Sequence, residues 1–397
     1  MPGKTKQSGQ ILPVILAVIA IALAALILSD RVATAMADQS RVADAADSAA
    51  YSAAVWTARR LNFVAYTNRA MLANHISVGH IVAYISWLRY VEATAERIDQ
   101  VAQWLALLKI GIAGAKITSI ISDSISVGVF GSMQVARGYI LATNTYNLAL
   151  SGAQVDALAL LEPSQLHRVK KRVVEAHDPT FTVNSLSAMT TVPGPWSMSA
   201  VALLTTLYAD LFRVMDVQLV PENDPMLQAL VDKTIDHDPR LRQWVSNREG
   251  RGWRINLANV VQMRKLGNTE RPPSHPADNW ASSDRFQWRL FQGFPFPWGG
   301  WATLSSGSAD AAELAGIYKG ITGYTRIRPS ADPQPRFVIP AMVTTDDERT
   351  NVRLSLSAVE YQVPPRCGGN RCPSSSSVAT LFNPYWNARL ISLREFF

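Results

Sequence analysis

Residues Ile11–Leu28, ILPVILAVIAIALAALIL, run into SDRVATAMADQSRVADAADSAAYSAA (Ser29–Ala54) with no glycine and no proline after Pro13. The first eighteen residues carry no charged or strongly polar side chain. As a helix they cover roughly 27 Å, close to the roughly 30 Å hydrocarbon core of a bilayer. Pro13 falls in the opening turns, where a missing N–H costs little. Lys4 and Lys6 precede the run, while Asp30 and Arg31 cancel after it. The positive-inside rule then places the N-terminus in the cytoplasm and everything after about residue 30 outside it. A cleavable signal peptide is the competing reading, because Ala33, Ala35 and Ala37 supply a small-x-small site. The uninterrupted alanine-rich continuation favours one helix that leaves the membrane without a turn.

From that segment the helical pattern continues outward. Asp38 to Leu108 holds no proline and one glycine, Gly79, among dense Ala, Leu, Arg and Glu. Asn62, Arg69 and His80 fall on nearly one stripe, which reads as a solvated face or an interhelical hydrogen-bonding seam. Ile110–Ile121 is apolar enough to suggest a second span. However, Lys109, Lys116, Asp123, Arg137 and Asn144 recur at multiples of seven, with Phe130 as the gap. That is an amphipathic helix with a coiled-coil-like period. Lys116 and Asp123 near a bilayer centre would cost roughly 2.5–3.5 kcal/mol each. Two long antiparallel helices are expected, turning near Lys109 or near Gly111 and Gly114. A shorter basic helix is expected between Pro163 and Pro179, with HRVKKR (His167–Arg172) as its solvated face. Further helices are expected over Pro195–Val220 and Pro225–Asn247.

Composition changes near Gly250. WRINLANVVQM, RFQWRLF, GITGYTRIRP, RFVIPAMV and NVRLSLSAVEYQV alternate with Gly, Pro and Ser, as short strands do. The fold class expected is α+β: an N-terminal transmembrane helix continuing into long antiparallel helices, then a β-rich C-terminal domain. The corresponding divisions are a cytoplasmic stub (1–10), a span (11–29), a helical domain (30–248), a β-rich domain (249–366), and a disulfide loop with the tail (367–397). Cys367 and Cys372, the only cysteines among 397 residues, enclose Gly-Gly-Asn-Arg. Zinc would need about four ligands, so a short disulfide in an oxidising compartment fits better.

The sequence carries no HExxH, GxSxG, GxGxxG or paired CxxC. Gly3-Lys4-Thr5 lacks the strand and loop that a phosphate site needs, and the histidines are scattered. No catalytic residue, cofactor or metal is expected, and the chain is not expected to be an enzyme. The net charge of +7 would suit nucleic acid in a cytosolic protein, but the inferred topology argues against that partner.

Several stretches resemble a known family. Gly9-Gln10 before the apolar helix and QSRVADAADSAAYSAA after it (Gln39–Ala54) are similar to the N-terminal region of TadG-like proteins of tight-adherence (Flp-type) pilus systems. There an anchor helix runs into a Q-x-x-A-D-A-A-A pattern, matched here by Gln39, Ala43, Asp44, Ala45, Ala46 and Ala50. LNFVAYTNRAMLANHISVGH (Leu61–His80) and FNPYWNARL (Phe382–Leu390) resemble bacterial proteins of the TadE/TadG-related pilus-assembly group. Prepilin peptidases favour glutamate five residues beyond the cleaved glycine. After Gly9 that place holds Val14, so the resemblance implies an anchored, unprocessed component. The adhesion-type domain usual in TadG is missing.

The function expected is therefore structural: an inner-membrane protein with its bulk in the periplasm, serving pilus assembly or a related secretion machine. Its expected partners are the lipid bilayer, pseudopilin-like or other assembly proteins, and a second copy of itself. The alternative is a glycan- or surface-binding module, with Trp288, Trp298 and Trp301 as the partner or ligand surface. Aromatic rings offer flat stacking faces, although buried tryptophans are the commoner case.

Overall fold

A computed structural model describes residues 11–107, 112–183, 215–218, 225–245, 251–257, 260–270, 280–290, 298–316, 318, 320–321, 323–327, 335–345, 352–363 and 379–396. The chain is α+β, with one long N-terminal apolar helix and two four-stranded antiparallel sheets. Helix α1 is continuous over Ile11–Leu107, 97 residues, and α2 returns over Ile112–Ala159. The break between them brackets Lys109 and Gly111, whereas Gly114, the other expected turn residue, lies inside α2. Every residue from 12 to 41 except Ala35 is exposed, so the apolar segment projects clear of the rest. Packing begins at Val42.

From there α1 buries the small side chains that dominate its sequence. Val42, Ala45, Ala46, Ala49 and Ala50 lie under Val174, Ala341 and Val343. Ala53, Ala54, Ala58, Leu61 and Val64 lie under Phe337, Ile339, Val359 and Trp386. Alanines at this contact let a sheet approach the helix closely and still exclude water. The alanine-rich Gln39–Ala54 stretch is thus a packing face.

Sheet A, in the order β1-β8-β9-β10, covers this part of α1. Its strands are Phe181–Val183, Phe337–Thr345, Val352–Tyr361 and Trp386–Ile391. The sheet therefore takes one strand from before residue 249 and one from the tail. Helix α3 (Pro163–His177) lies beside it. Along α3, Leu166, Lys170 and Val174 recur every four residues on the buried face. HRVKKR is accordingly only partly solvated: Lys170 points inward, where Nζ donates to Pro340 O at 2.9 Å. Strand β1 pairs with β8 only from Val343 to Thr345, so the edge at Pro340 lies beyond its reach. Proline brings no N–H to that edge, and Lys170 caps the carbonyl left there.

The second sheet, C, runs β3-β4-β5-β6: Trp253–Leu257, Val261–Glu270, Ala281–Leu290 and Ala302–Asp310. It packs further along α1, past Gly79. A Cβ on Gly79 would stand 2.7 Å from the Trp280 ring, so glycine is required there. The Trp280 indole donates to His75 O at 2.9 Å. Gly307 of β6 is tighter still, its missing Cβ directed into the backbone of Ser86 and Tyr90.

The helix expected over Pro225–Asn247 is two helices, α4 (Pro225–His237) and α5 (Pro239–Trp244). Asp238 precedes a proline and is held extended, where its carboxylate caps the amides of Arg240 and Leu241. The helix expected over Pro195–Val220 is overturned at its end. Met215–Gln218 is strand β2, paired antiparallel with β7 (Tyr324–Ile327) as the two-stranded sheet B, because pairing with that distant strand outweighs local propensity. The rest of that stretch lies outside the described residues, as do Cys367 and Cys372. Two short helices remain, α6 (Ala311–Ala315) after β6 and α7 (Leu393–Phe396) at the end.

The seven-residue polar stripe of α2 holds only in part. Asp123 and Arg137 are exposed, whereas Asn144 is buried. A strict seven-residue repeat drifts by about 20° per heptad around a straight α-helix, so three heptads turn the stripe inward. The segment from Ser122 to Ala159 is long and apolar enough to cross a membrane by length and composition. Its inner face packs on α1 through Ala136 and Ile140, in the core shared with Val78, Val82 and sheet C.

Glycines on the two long helices should respond oppositely to alanine. Gly79→Ala drives a methyl into Trp280 and should cost about 1–3 kcal/mol. Gly138→Ala, with nothing near its would-be Cβ, should gain about 0.5–1 kcal/mol. Urea unfolding of the two variants measures both; a neutral Gly79→Ala would contradict this packing.

Candidate functional site

Two features of sheet C stand apart from ordinary core packing, one on each face. The parity of the strands decides which residues go where. On β4, Val261, Met263, Lys265, Gly267 and Thr269 share the face toward α1; on β5 their partners are Leu290, Trp288, Phe286, Asp284 and Ser282. Each strand thus carries one charged residue on an otherwise apolar or small face.

These charges meet. Asp284 is fully buried, and Arg251 and Lys265 are nearly so. Asp284 Oδ1 accepts from Lys265 Nζ at 2.7 Å and Arg251 Nε at 3.2 Å. Its Oδ2 accepts from Arg251 Nη2 at 3.0 Å and from Ser86 Oγ of α1 at 2.8 Å. Arg251 donates further to Trp244 O, Thr269 Oγ1 and Ser282 Oγ, and Lys265 Nζ to Arg251 O. Two cations against one carboxylate leave a net positive charge in the interior, spread over these carbonyls and hydroxyls. The excess is felt nearby: partial desolvation against the edge of Trp244, and then the charge of Arg251, lower the pKa of the surface residue His80. A fully satisfied network with every donor turned inward is a structural pin between helix and sheet.

The outer face is different. There Arg254, Arg264 and Gln287 form one cross-strand row, and Asn256, Gln262 and Arg289 the next. Arg264 Nε donates to Gln287 Oε1 at 2.9 Å, and Arg289 donates to Gln262 Oε1 through Nε (2.8 Å) and Nη2 (2.6 Å). Trp301 stacks with both guanidiniums, at 4.0 Å from Arg264 and 4.6 Å from Arg289, and Arg289 also lies 5.1 Å from Trp298. Stacking of this kind orders a guanidinium without consuming its N–H groups.

The three tryptophans expected to form one surface are therefore divided. Trp298 and Trp301 belong to the outer face, while Trp288 pairs with Met263 on the opposite one. Trp301 also presents a face to arginine, so its ring is not a bare stacking platform. The arginines and glutamines around it were missed in the sequence. The signal was there in Q-M-R on β4 and Q-W-R on β5, which put the same two side-chain types on one face of neighbouring strands.

The polar residues of α1 grip backbone. Asn62 donates to Trp386 O and accepts from Trp386 N, at 2.9 and 3.0 Å. Asn68 donates to Thr325 O and Leu381 O, and Gln154 of α2 reaches Asn68 and the Thr325 amide. Asn62 thus forms a seam from helix to strand, whereas Arg69 and His80 are exposed. Leu61–His80 and Phe382–Leu390, which carried the later part of the family resemblance, touch each other directly. Among the described residues, no group of three or more His, Cys, Asp or Glu side chains is placed to hold a metal ion. Compared with family models, curated proteins and solved structures, the chain matches none.

Two buried charges give measurable expectations. Asp284→Asn leaves Arg251 and Lys265 buried without a counter-charge and should cost about 3–5 kcal/mol, read by denaturant unfolding. Lys170 is pushed down to about 8 from an ordinary 10.5 by burial. Between those values the unfolded chain holds more protons than the folded one, so stability rises with pH across that window and is lowest below it. The gain should approach ~3 kcal/mol. Lys170→Met should flatten this part of the pH–stability curve; an unchanged slope would contradict the burial of the ammonium.

Proposed function

We propose that the chain is a membrane-anchored structural component of a tight-adherence (Flp-type) pilus assembly or a related secretion machine. The observation that carries this reading is the continuity of α1. The apolar segment that is long enough to span a bilayer, and the helix on which both sheets are built, are one element. A span followed by a flexible linker would merely tether a domain. A span continuing as the core helix also fixes its direction. In this reading the N-terminus is cytoplasmic, the anchor lies in the bacterial inner membrane and the bulk occupies the periplasm. Pseudopilin-like or other assembly proteins, or a second copy of the chain, are the partners. The resemblance of Leu61–His80 and Phe382–Leu390 to pilus-assembly proteins supports the reading, because the two stretches meet at the Asn62–Trp386 clasp.

A phosphatase reporter fused after Asp99 should be active in a bacterial host, and a reporter that works only in the cytoplasm should be silent there. The reverse pattern would overturn the orientation. N-terminal sequencing decides between anchor and signal peptide, since a cut after Ala37 would spare every packed residue from Val42 onward. Co-purification with the ATPase and platform proteins of the assembly is the expected result for the pilus role; solubilised complexes that contain neither would refute it.

A further inference from the structure

We infer that the outer face of sheet C binds an acidic polysaccharide, taking its carboxylates between the arginines of β3, β4 and β5. The inference stands apart from the pilus reading and does not depend on it. Arg254 and Arg264 face each other directly across β3 and β4, and Arg285 projects from the same face as Arg289. Like charges directly opposite in a sheet are destabilising, and this sheet carries such a pair without neutralising it. Elsewhere the chain does neutralise its arginines: Arg89 pairs with Glu313, and Arg336 and Arg389 with Glu360. Among the described residues no carboxylate pairs with Arg254, Arg264, Arg285 or Arg289. Those of the middle rows meet glutamine instead, which fixes the guanidinium and leaves its charge in place.

The donors that remain define the ligand chemistry. With Nε of Arg264 on Gln287, both of its Nη groups stay available among the described residues, as does Nη1 of Arg289. A planar guanidinium held by stacking on Trp301 is preorganised for an oxyanion, and carboxylate is the common two-pronged partner. Between the arginines stand neutral hydrogen-bonding groups, with Gln287 and Thr303 in one row and Asn256 and Gln262 in the next. Charges separated by neutral polar groups match a polymer of spaced carboxylates and hydroxyls. An acidic peptide would instead seek a strand edge or apolar pockets for its side chains. The anionic lipid surface is also disfavoured by position. Ser86, beneath this sheet, lies 58 residues beyond Leu28 on one helix, a contour of about 87 Å.

The test uses the full chain in detergent and polygalacturonate as probe, with neutral dextran, poly-L-glutamate and phosphatidylglycerol vesicles alongside. Binding to polygalacturonate should exceed all three and weaken as salt is raised. The triple variant Arg254→Gln, Arg264→Gln, Arg289→Gln should lose on the order of tenfold in affinity or more, with its melting temperature held. Arg168→Gln with Lys171→Gln, on the exposed side of α3, should bind as the parent does. Should the triple variant unfold, the single exposed change Arg285→Glu provides the same readout. Equal or tighter binding of polyglutamate would assign the face to an acidic protein and overturn the proposal. Preference for the vesicles, no binding of polygalacturonate, or loss equal to that of the α3 control would also overturn it.

Discussion

Both sheets and both long-helix cores are built against one uninterrupted helix, and the closeness with which they approach it governs everything else. That closeness comes from side chains that are small where backbone must come near: Ala45 to Ala58 under sheet A, Gly79 under Trp280, and Gly307 of β6 against the turn at Ser86. At such separation the helix can use short polar side chains as clasps. Asn62 and Asn68 reach strand carbonyls, and Ser86 reaches the buried Asp284. Larger side chains on α1 would push the sheets beyond hydrogen-bonding range and leave these groups unpaired in the interior, which is costly.

The two faces of sheet C show how the same residue type is used in opposite ways. Arg251 is enclosed, with its donors turned to Asp284, carbonyls and hydroxyls, and it pins the sheet to α1. Arg264 and Arg289 are half-buried, ordered by tryptophan and glutamine, and keep their charge. Arginine suits both duties because its planar fork is fixed by a single hydrogen bond or a ring, with other N–H groups to spare.

Much of this was legible in the sequence, and the limits are physical. The scarcity of proline and glycine marked α1, and short β-favouring runs between Gly, Pro and Ser marked β8 and β9, because those are properties of a single segment. What depended on partners was not legible. Met215–Gln218 is a strand only because Tyr324–Ile327, more than 100 residues further on, pairs with it. Lys170 lies in a run that reads as solvated, yet it shares a helix face with Leu166 and Val174, one turn away on either side, which turns it inward. Asn144 closes a stripe whose period is slightly short for a straight helix. The three tryptophans were grouped by proximity in sequence, whereas strand parity sends Trp288 to the face opposite Trp301. Asp284 and Lys265 each left a mark, as a charge among apolar neighbours two residues away, but only pairing in register shows that they are one site.

Sheet A draws its strands from far apart in the sequence: Phe181–Val183 lies before a long intervening stretch, and Trp386–Ile391 well beyond it. The helix they cover comes before all of them in the chain. During synthesis, the alanine and leucine face from Val42 to Val64 must therefore wait for more than three hundred residues to follow before its clasp with Trp386 can close. The order of emergence is the reverse of the order of need. The clasp at Asn62 closes only once Trp386 has been made. A nascent chain halted short of Trp386 would leave this face open to chaperones and proteases.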